Sequence, residues 1–433
     1  MKVLISTLIF FLHATICIAQ PSPPKVFTQD IDNFWIAYDS VRTTKDSLAQ
    51  IGFIQKLYID KGTEGLMAFI KARDYSAPLW VQQINHYPRF WNSIRANTLS
   101  VKSKAGEIEK SIQKLKSIYP GLKDARMYFT IGGLRSGGTT TQDMVLIGTE
   151  IATGNPATVV SEFPDQWLAG VFKEQSPENL IPLNIHEYVH TQQKGKSQNL
   201  LAQAIREGSC DFITELVMGQ PLHTSYIKYG NEHEVPLKEK FKQEMFSKAF
   251  SRWLYNSSHA EAVADLGYFM GYAICKSYYN QASNKKQAIK EIINLNYSDN
   301  KKVEAFLKKS AYYNEPFDKA QLIRDFEARL PLLSTLEPFS NGNTAVDASH
   351  KEITLVFSKP MGKGYSLNYG TKGKDYFPIT GVTGFSGDKK KLTLKMTLQP
   401  DHEYEFIVTD GGFKSEDGYP LLKPYTIKFK TKP

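Results

Sequence analysis

The feature that most constrains this chain is a change of hydrophobic period at a pair of prolines. Before Pro331, apolar residues recur at helical spacing over long stretches; after Pro338 they alternate with polar ones. A period near 3.6 buries one stripe of a helix, and a period of 2 buries one face of a strand. The chain therefore reads as two units joined near these prolines: a mainly helical one over 20–333 and an all-β one over 334–433, preceded by a short apolar leader over 1–19.

Within the first unit, Ile31, Phe34, Trp35 and Tyr38 share a helical face, as do Ile108, Ile112, Leu115 and Ile118. Pro120-Gly121 stops the last of these helices. The period then shortens: Met127 to Ile131 and Met144 to Ile151 read as strands around the loop Gly132 to Gly138. Helices return from about Glu178 to Arg329. The unit thus divides into a helical part (20–125), a strand-containing part (126–176) and a second helical part (177–333). In the C-terminal unit, Ile353, Leu355 and Phe357 alternate with polar residues. So do Leu392, Leu394, Met396 and Leu398, then Tyr404, Phe406 and Val408, then Tyr425, Ile427 and Phe429. Turn clusters such as Ser386-Gly387-Asp388 and Asp410-Gly411-Gly412 separate them, the pattern of a β-sandwich. The fold class is α+β: mainly helical with a small sheet, followed by an all-β sandwich.

The leader has the layout of a secretory signal peptide. Lys2 is a short basic region, Val3 to Ile18 is mainly apolar, and Cys17-Ile18-Ala19 suits cleavage after Ala19. The run is short for a membrane span. A lipoprotein site fits less well, because Ile16 before Cys17 is bulky. No later stretch is long and apolar enough to span a bilayer, so the sequence predicts a secreted or periplasmic protein. Of its 433 residues, 41% are hydrophobic and 22% charged, a globular balance. The net charge of +9 comes from scattered lysines without a nucleic-acid motif, so no nucleic-acid partner is expected. Cys210 and Cys275 remain after the leader, and the sequence leaves open whether they pair.

The chemically informative stretch is Asn184-Ile185-His186-Glu187-Tyr188-Val189-His190. On a helix, residues four apart lie about 40° from each other around the axis, so His186 and His190 project from one face and can bind one metal ion. Glu187 is displaced to the side, where it can take a proton from metal-bound water. Pro182 suits the first turn of that helix. A third ligand is available in Arg206-Glu207-Gly208-Ser209-Cys210-Asp211: Glu207 can reach the metal. Asp211, one turn on, can accept the second ring N–H of a ligand histidine. The expected cofactor is Zn2+.

These residues resemble the gluzincin pattern, in which two histidines and a downstream glutamate bind zinc. More narrowly, they resemble a family of predicted bacterial zinc-dependent peptidases of unassigned substrate. The Gly-rich segment Gly132 to Thr139 and the Gly-Tyr-rich stretch Gly267-Tyr268-Phe269-Met270-Gly271-Tyr272 carry the rest of the likeness, which covers Phe27 to Leu330. The resemblance implies a zincin-like domain with His186, His190 and Glu207 as ligands, Glu187 as general base and Asp211 behind a ligand. It implies a peptide or protein substrate in a cleft beside an edge strand. Tyr268 and Tyr272 are then candidates to stabilise the oxyanion, with His223, His233 and His259 behind them. The Gly-x-Met-Glu-Asn signature of aminopeptidases is missing, which points to an endopeptidase. Met127 to Ile131 reads either as a strand that binds extended peptide or as an ordinary core strand.

The C-terminal unit resembles bacterial Ig-like domains of the surface-layer type, through Phe357-Ser358-Lys359-Pro360-Met361 and Pro400-Asp401-His402-Glu403-Tyr404. Such a unit suits cell-surface association. The competing reading is a non-catalytic surface or binding protein with a structural or idle zinc site. On the sequence, the intact Glu187 favours the enzyme, because a structural site needs no base.

Overall fold

The structure is a computed structural model that describes residues 25–141, 143–164, 166–173, 175–256 and 263–433. The leader over 1–19 lies outside the described residues. Five helices open the fold: α1 (Gln29–Val41), α2 (Ser47–Ile54), α3 (Glu64–Arg73), α4 (Ala77–His86) and α5 (Pro88–Ile118). They bury Phe34, Tyr58, Phe69, Trp80 and Trp91 without exposure. Indole N–H groups inside such a core need acceptors. Trp35 donates to Thr98 at 2.9 Å and Trp80 to the carbonyl of Gly132 at 2.9 Å.

A small sheet follows, made of β1 (Val26–Phe27), β2 (Arg126–Thr130), β3 (Gly138–Thr140) and β4 (Met144–Gly148) in the order β1-β2-β4-β3. β2 runs parallel to β1 and β4, and β3 is antiparallel to β4. Residues beyond β4 turn into the short α6 (Thr149–Ala152) rather than extending the strand to Ile151. The strand expected over Met127 to Ile131 is internal. β4 pairs it from Arg126 to Thr130 and β1 pairs Met127 and Tyr128, while both backbone groups of Ile131 bond the Tyr58 hydroxyl.

The rest of the unit comprises α7 (Trp167–Lys173), α8 (Leu180–His190), α9 (Leu200–Met218), α10 (Ser225–Glu232), α11 (Glu234–Lys242), α12 (Leu266–Gln281), α13 (Lys285–Ile293), α14 (Asn300–Lys309) and α15 (Lys319–Glu327). α9 and α12 touch backbone to backbone. A Cβ on Gly271 would lie 1.7 Å from the carbonyl oxygen of Ala204, and one on Gly208 would lie 2.0 Å from the Tyr272 nitrogen. Only glycine permits that approach. Cys210 on α9 and Cys275 on α12 are separate buried thiols.

The C-terminal region is all β. β5 (Leu333–Glu337), β6 (Glu352–Phe357), β8 (Ile379–Phe385) and β9 (Lys391–Met396) form one sheet in the order β5-β6-β9-β8. β7 (Leu367–Tyr369), β10 (Glu403–Val408) and β11 (Tyr425–Lys430) form the other, in the order β11-β10-β7. The alternating residues Ile353, Leu355, Phe357, Leu392, Leu394, Phe406 and Ile427 meet in one core. The α+β class with an all-β C-terminal region is therefore observed. Among the described residues, no helix is long and apolar enough to cross a membrane.

Candidate metal centre

α8 buries Ile181, Ile185, Tyr188 and Val189. The Tyr188 hydroxyl bonds both the N–H and the carbonyl of Ala125, just before β2, which fixes the helix against the sheet. α9 is capped by Asn199, which accepts from the N–H of Ala202, and ends at Gly219 in the left-handed region. With both helices held, three side chains converge. His190 Nε2 lies 3.1 Å from His186 Nε2 and 3.0 Å from Glu207 Oε2, and His186 Nε2 lies 3.7 Å from the same oxygen.

The opposite ring nitrogens decide what this triangle is. His186 Nδ1 is 2.7 Å from Asp211 Oδ1, and His190 Nδ1 is 2.7 Å from Gln193 Oε1. Both partners are acceptors, so each Nδ1 carries a hydrogen, and a ring in its neutral form turns its Nε2 lone pair inward. Two lone pairs and a carboxylate oxygen then face one another. They repel unless a positive charge, a proton on a ring or a metal ion, sits among them. Zinc bonds of about 2.0–2.1 Å at tetrahedral angles set ligand atoms roughly 3.3 Å apart, which matches these edges. The spacing is one that zinc could fill, and His186, His190 and Glu207 are the residues that would hold it.

The electrostatics agree. Burial works against charge on His186, but Asp211 and then Glu207 outweigh it and hold its pKa well above the ordinary histidine value. Burial also works against the Glu207 carboxylate, but His190 and His186 outweigh it and hold the pKa well below the usual range. The centre thus favours positive charge at its middle.

Supporting contacts extend outward. The second oxygen of Glu207 accepts from Gln203 Nε2 at 2.8 Å and from the Tyr255 hydroxyl at 3.0 Å. Asp211 Oδ2 accepts from the Tyr226 hydroxyl at 3.1 Å. Gln193 is held by the carbonyl of Arg206 and by Ser209. Cys210 also lies near: His186, His190 and Cys210 have potential ligand atoms within 4.8 Å of one another. Its sulfur, however, is 3.4 Å from His190 Nδ1, behind the ring from the converging lone pairs. Burial, then Glu207 and Asp211, push its thiol pKa well up. The Glu207 set fits better.

The remaining expected residues divide. Glu187 is half-buried on α8. The Tyr268 ring stacks on His186 with centroids 6.0 Å apart. Tyr272 does not belong to the centre: it lies one helical turn beyond Tyr268 along α12, where its hydroxyl donates to Glu215 at 2.6 Å and meets Lys276 Nζ at 2.6 Å. His223 lines a small cavity next to His186 and Asp211, His233 stacks on Tyr229, and His259 lies outside the described residues. Sequence reasoning missed Gln193, Gln203, Tyr226 and Tyr255. Gln193 and Gln203 sit three and four residues from His190 and Glu207, a signal open to reading. Tyr226 and Tyr255 arrive from other elements without one.

A two-helix metal-suited centre in an α+β chain defines a class of site but not a reaction. Residues 25–262 match the family described as gliding motility protein GldB. That is more than half of the chain, and the chain belongs to this family. Residues 331–431 match the bacterial Ig-like domain. No curated protein matches. Similar solved structures include CopC from Methylosinus trichosporium OB3b, 22% identical over 24% of this chain and 94% of that one, with a TM-score of 0.18. The N-terminal part of the bacterial S-layer protein SbsC is 14% identical over 66% of this chain and 62% of that one, also at 0.18. Domains 1–6 of SbsC are 14% identical over 65% and 39%, at 0.19. Scores this low carry no argument.

The family matches correct the peptidase reading. Neither matched family is a peptidase family, so the gluzincin resemblance is overturned, and with it the assignment as hydrolase, protease and metalloprotease. The peptide substrate and the catalytic roles of Glu187, Tyr268 and Tyr272 lose their support. The physical reason is that two histidines and a glutamate at helical spacing can hold a metal and place a base beside it, but that local geometry does not by itself specify a reaction. The Ig-like part of the reading agrees with the match over 331–431.

Proposed function

We propose that this chain is a non-catalytic surface protein of the gliding motility family, secreted to or associated with the cell envelope. Zn2+ held by His186, His190 and Glu207 is a structural pin between α8 and α9, with Asp211 orienting His186. The Ig-like region is the surface-association module. The chain divides near 333–334 into these two parts, preceded by a signal peptide over 1–19.

The observation that carries this reading is the match of residues 25–262 to a motility family, joined to an Ig-like domain over 331–431. The converging donors support the structural role, since a pin of this kind links helices contributed by separate stretches of chain. A ligand present at about 100 times its dissociation constant stabilises the folded state by about 2.7 kcal/mol. The test is paired. Chelation should lower the unfolding temperature of wild type and Glu187→Gln alike, and neither should cleave a peptide library beyond background. Cleavage by wild type that disappears in Glu187→Gln would refute the proposal.

A further inference from the structure

The Ig-like domain rests on the helical unit through one buried carboxylate. Glu244, 1% exposed, accepts from the Tyr419 hydroxyl at 3.1 Å, from Arg252 Nε at 3.1 Å and from Trp253 Nε1 at 2.9 Å. The guanidinium of Arg252 lies over the Tyr419 ring, 3.9 Å from its centroid, and donates to the carbonyl of Asp417. Tyr419 is presented by a tight turn. Ser415 N–H donates to the Tyr419 carbonyl at 2.8 Å, and Tyr419 N–H donates to the Ser415 hydroxyl at 3.1 Å. Ala249, Phe326 and Leu330 complete a small apolar core around Tyr419. Lys414 Nζ donates to Ser251 at 2.7 Å beside it.

The residues gripped by this contact lead straight to the metal centre. The Trp253 carbonyl accepts from Gly267 N–H at 2.8 Å, one residue before Tyr268, whose ring stacks on His186. Tyr255 has φ of 57°, in the left-handed region, and Asp265 accepts from the N–H groups of Tyr255 and Asn256. From that position the Tyr255 hydroxyl reaches Glu207. A bulky residue at positive φ persists only where its surroundings hold it there. Among the described residues those surroundings include Asp265, the Gln203, Glu207 and Tyr268 side chains and, through Arg252 and Trp253, the Ig-like domain.

We propose that the Ig-like domain governs how tightly the centre holds its metal: docking of the Ser415–Tyr419 turn on Glu244 and Arg252 fixes Arg252 to Asn256, and Tyr255 from that stretch positions the Glu207 carboxylate. This rests on the zinc reading above. Tyr255 is a positioning residue, and Tyr419 acts through it. A load on the Ig-like domain, or a partner bound to it, would then change metal retention in the other unit.

The test measures zinc release to a chelator from the full chain, together with amide hydrogen exchange. Tyr255→Phe should release zinc at least about 10-fold faster than wild type, the scale of outer-shell effects on metal sites. Tyr419→Ala should release it about 2- to 30-fold faster and raise exchange of the Tyr255 and Asn256 amides. Tyr419→Phe keeps the ring under Arg252 and loses only the bond to Glu244, so it should fall between Tyr419→Ala and wild type. In the Tyr255→Phe background, Tyr419→Ala should add little, because both act on one interaction. Tyr369→Ala, on β7, should leave release unchanged. If wild type holds zinc but Tyr419→Ala releases it at the wild-type rate, or the two changes are additive, or Tyr369→Ala is as fast, the coupling is overturned. A wild type without zinc affinity would instead overturn the reading beneath it.

Discussion

Replacing Glu150 with glutamine should abolish the pH dependence that this residue imposes on stability. Glu150 sits in α6, immediately after β4, and has no exposed surface. Its carboxyl accepts from the Gly132 N–H at 2.8 Å and the Leu134 N–H at 3.2 Å, and no cation pairs with it among the described residues. Burial pushes its pKa from the ordinary 4.5 to about 7; bonds from the backbone N–H groups of Gly132, Glu150 itself and Leu134 act the other way without cancelling it. The folded chain therefore binds this proton more tightly than the unfolded chain. Its contribution is fully present below about pH 4.5 and is lost as pH rises through about 7. At about 1.4 kcal/mol per unit, the loss is about 3 kcal/mol. Glu150→Gln cannot ionise. In wild type minus variant, the other titrating groups largely cancel. Denaturant unfolding followed by tryptophan fluorescence reports the helical unit alone, since all 5 tryptophans precede Pro331. Between pH 4.5 and pH 8 the balance should move by about 3 kcal/mol toward the variant. A difference that stays flat, or moves toward wild type as pH rises, would refute the reasoning.

Asp211→Asn should weaken zinc binding by about 10- to 100-fold in a competition titration while leaving the circular dichroism spectrum unchanged, because it removes the carboxylate that orients His186. Gly271→Ala should destabilise the helical unit by about 3 kcal/mol or more in denaturant unfolding, since its new methyl meets the backbone of Ala204 at 1.7 Å and neither helix can yield alone.

How far this was legible depends on whether the signal is local. The α8 pattern lies within a single turn of helix, so His186 and His190 were readable as one face, and Glu207 and Asp211 by the same geometry. The alternation at Ile353, Leu355 and Phe357 is equally local and marked the sandwich. The α9–α12 crossing was not readable, because Gly208 and Gly271 announce small size without naming what approaches. Tyr268 and Tyr272 share a face of α12 by spacing alone, but the crossing decides that one turn meets His186 and the next meets Glu215. Tyr255 reaches Glu207 from a distant loop through an unusual backbone angle, and Gly132 faces Glu150 only because β2 and β4 are neighbours. The largest error was of another kind. The local spacing offers metal donors with a base beside them, which reads as hydrolysis, and the family match to gliding motility protein GldB removes that reading.

The central claim is that His186, His190 and Glu207 hold a metal. Zinc content per chain, measured by plasma mass spectrometry on wild type, His190→Ala and Glu207→Ala after zinc loading and desalting, tests it most directly. The account predicts about one zinc per wild-type chain from the single three-donor set, and loss of most of it in both variants. Full occupancy in both variants, or a wild type that stays metal-free after loading, would contradict it.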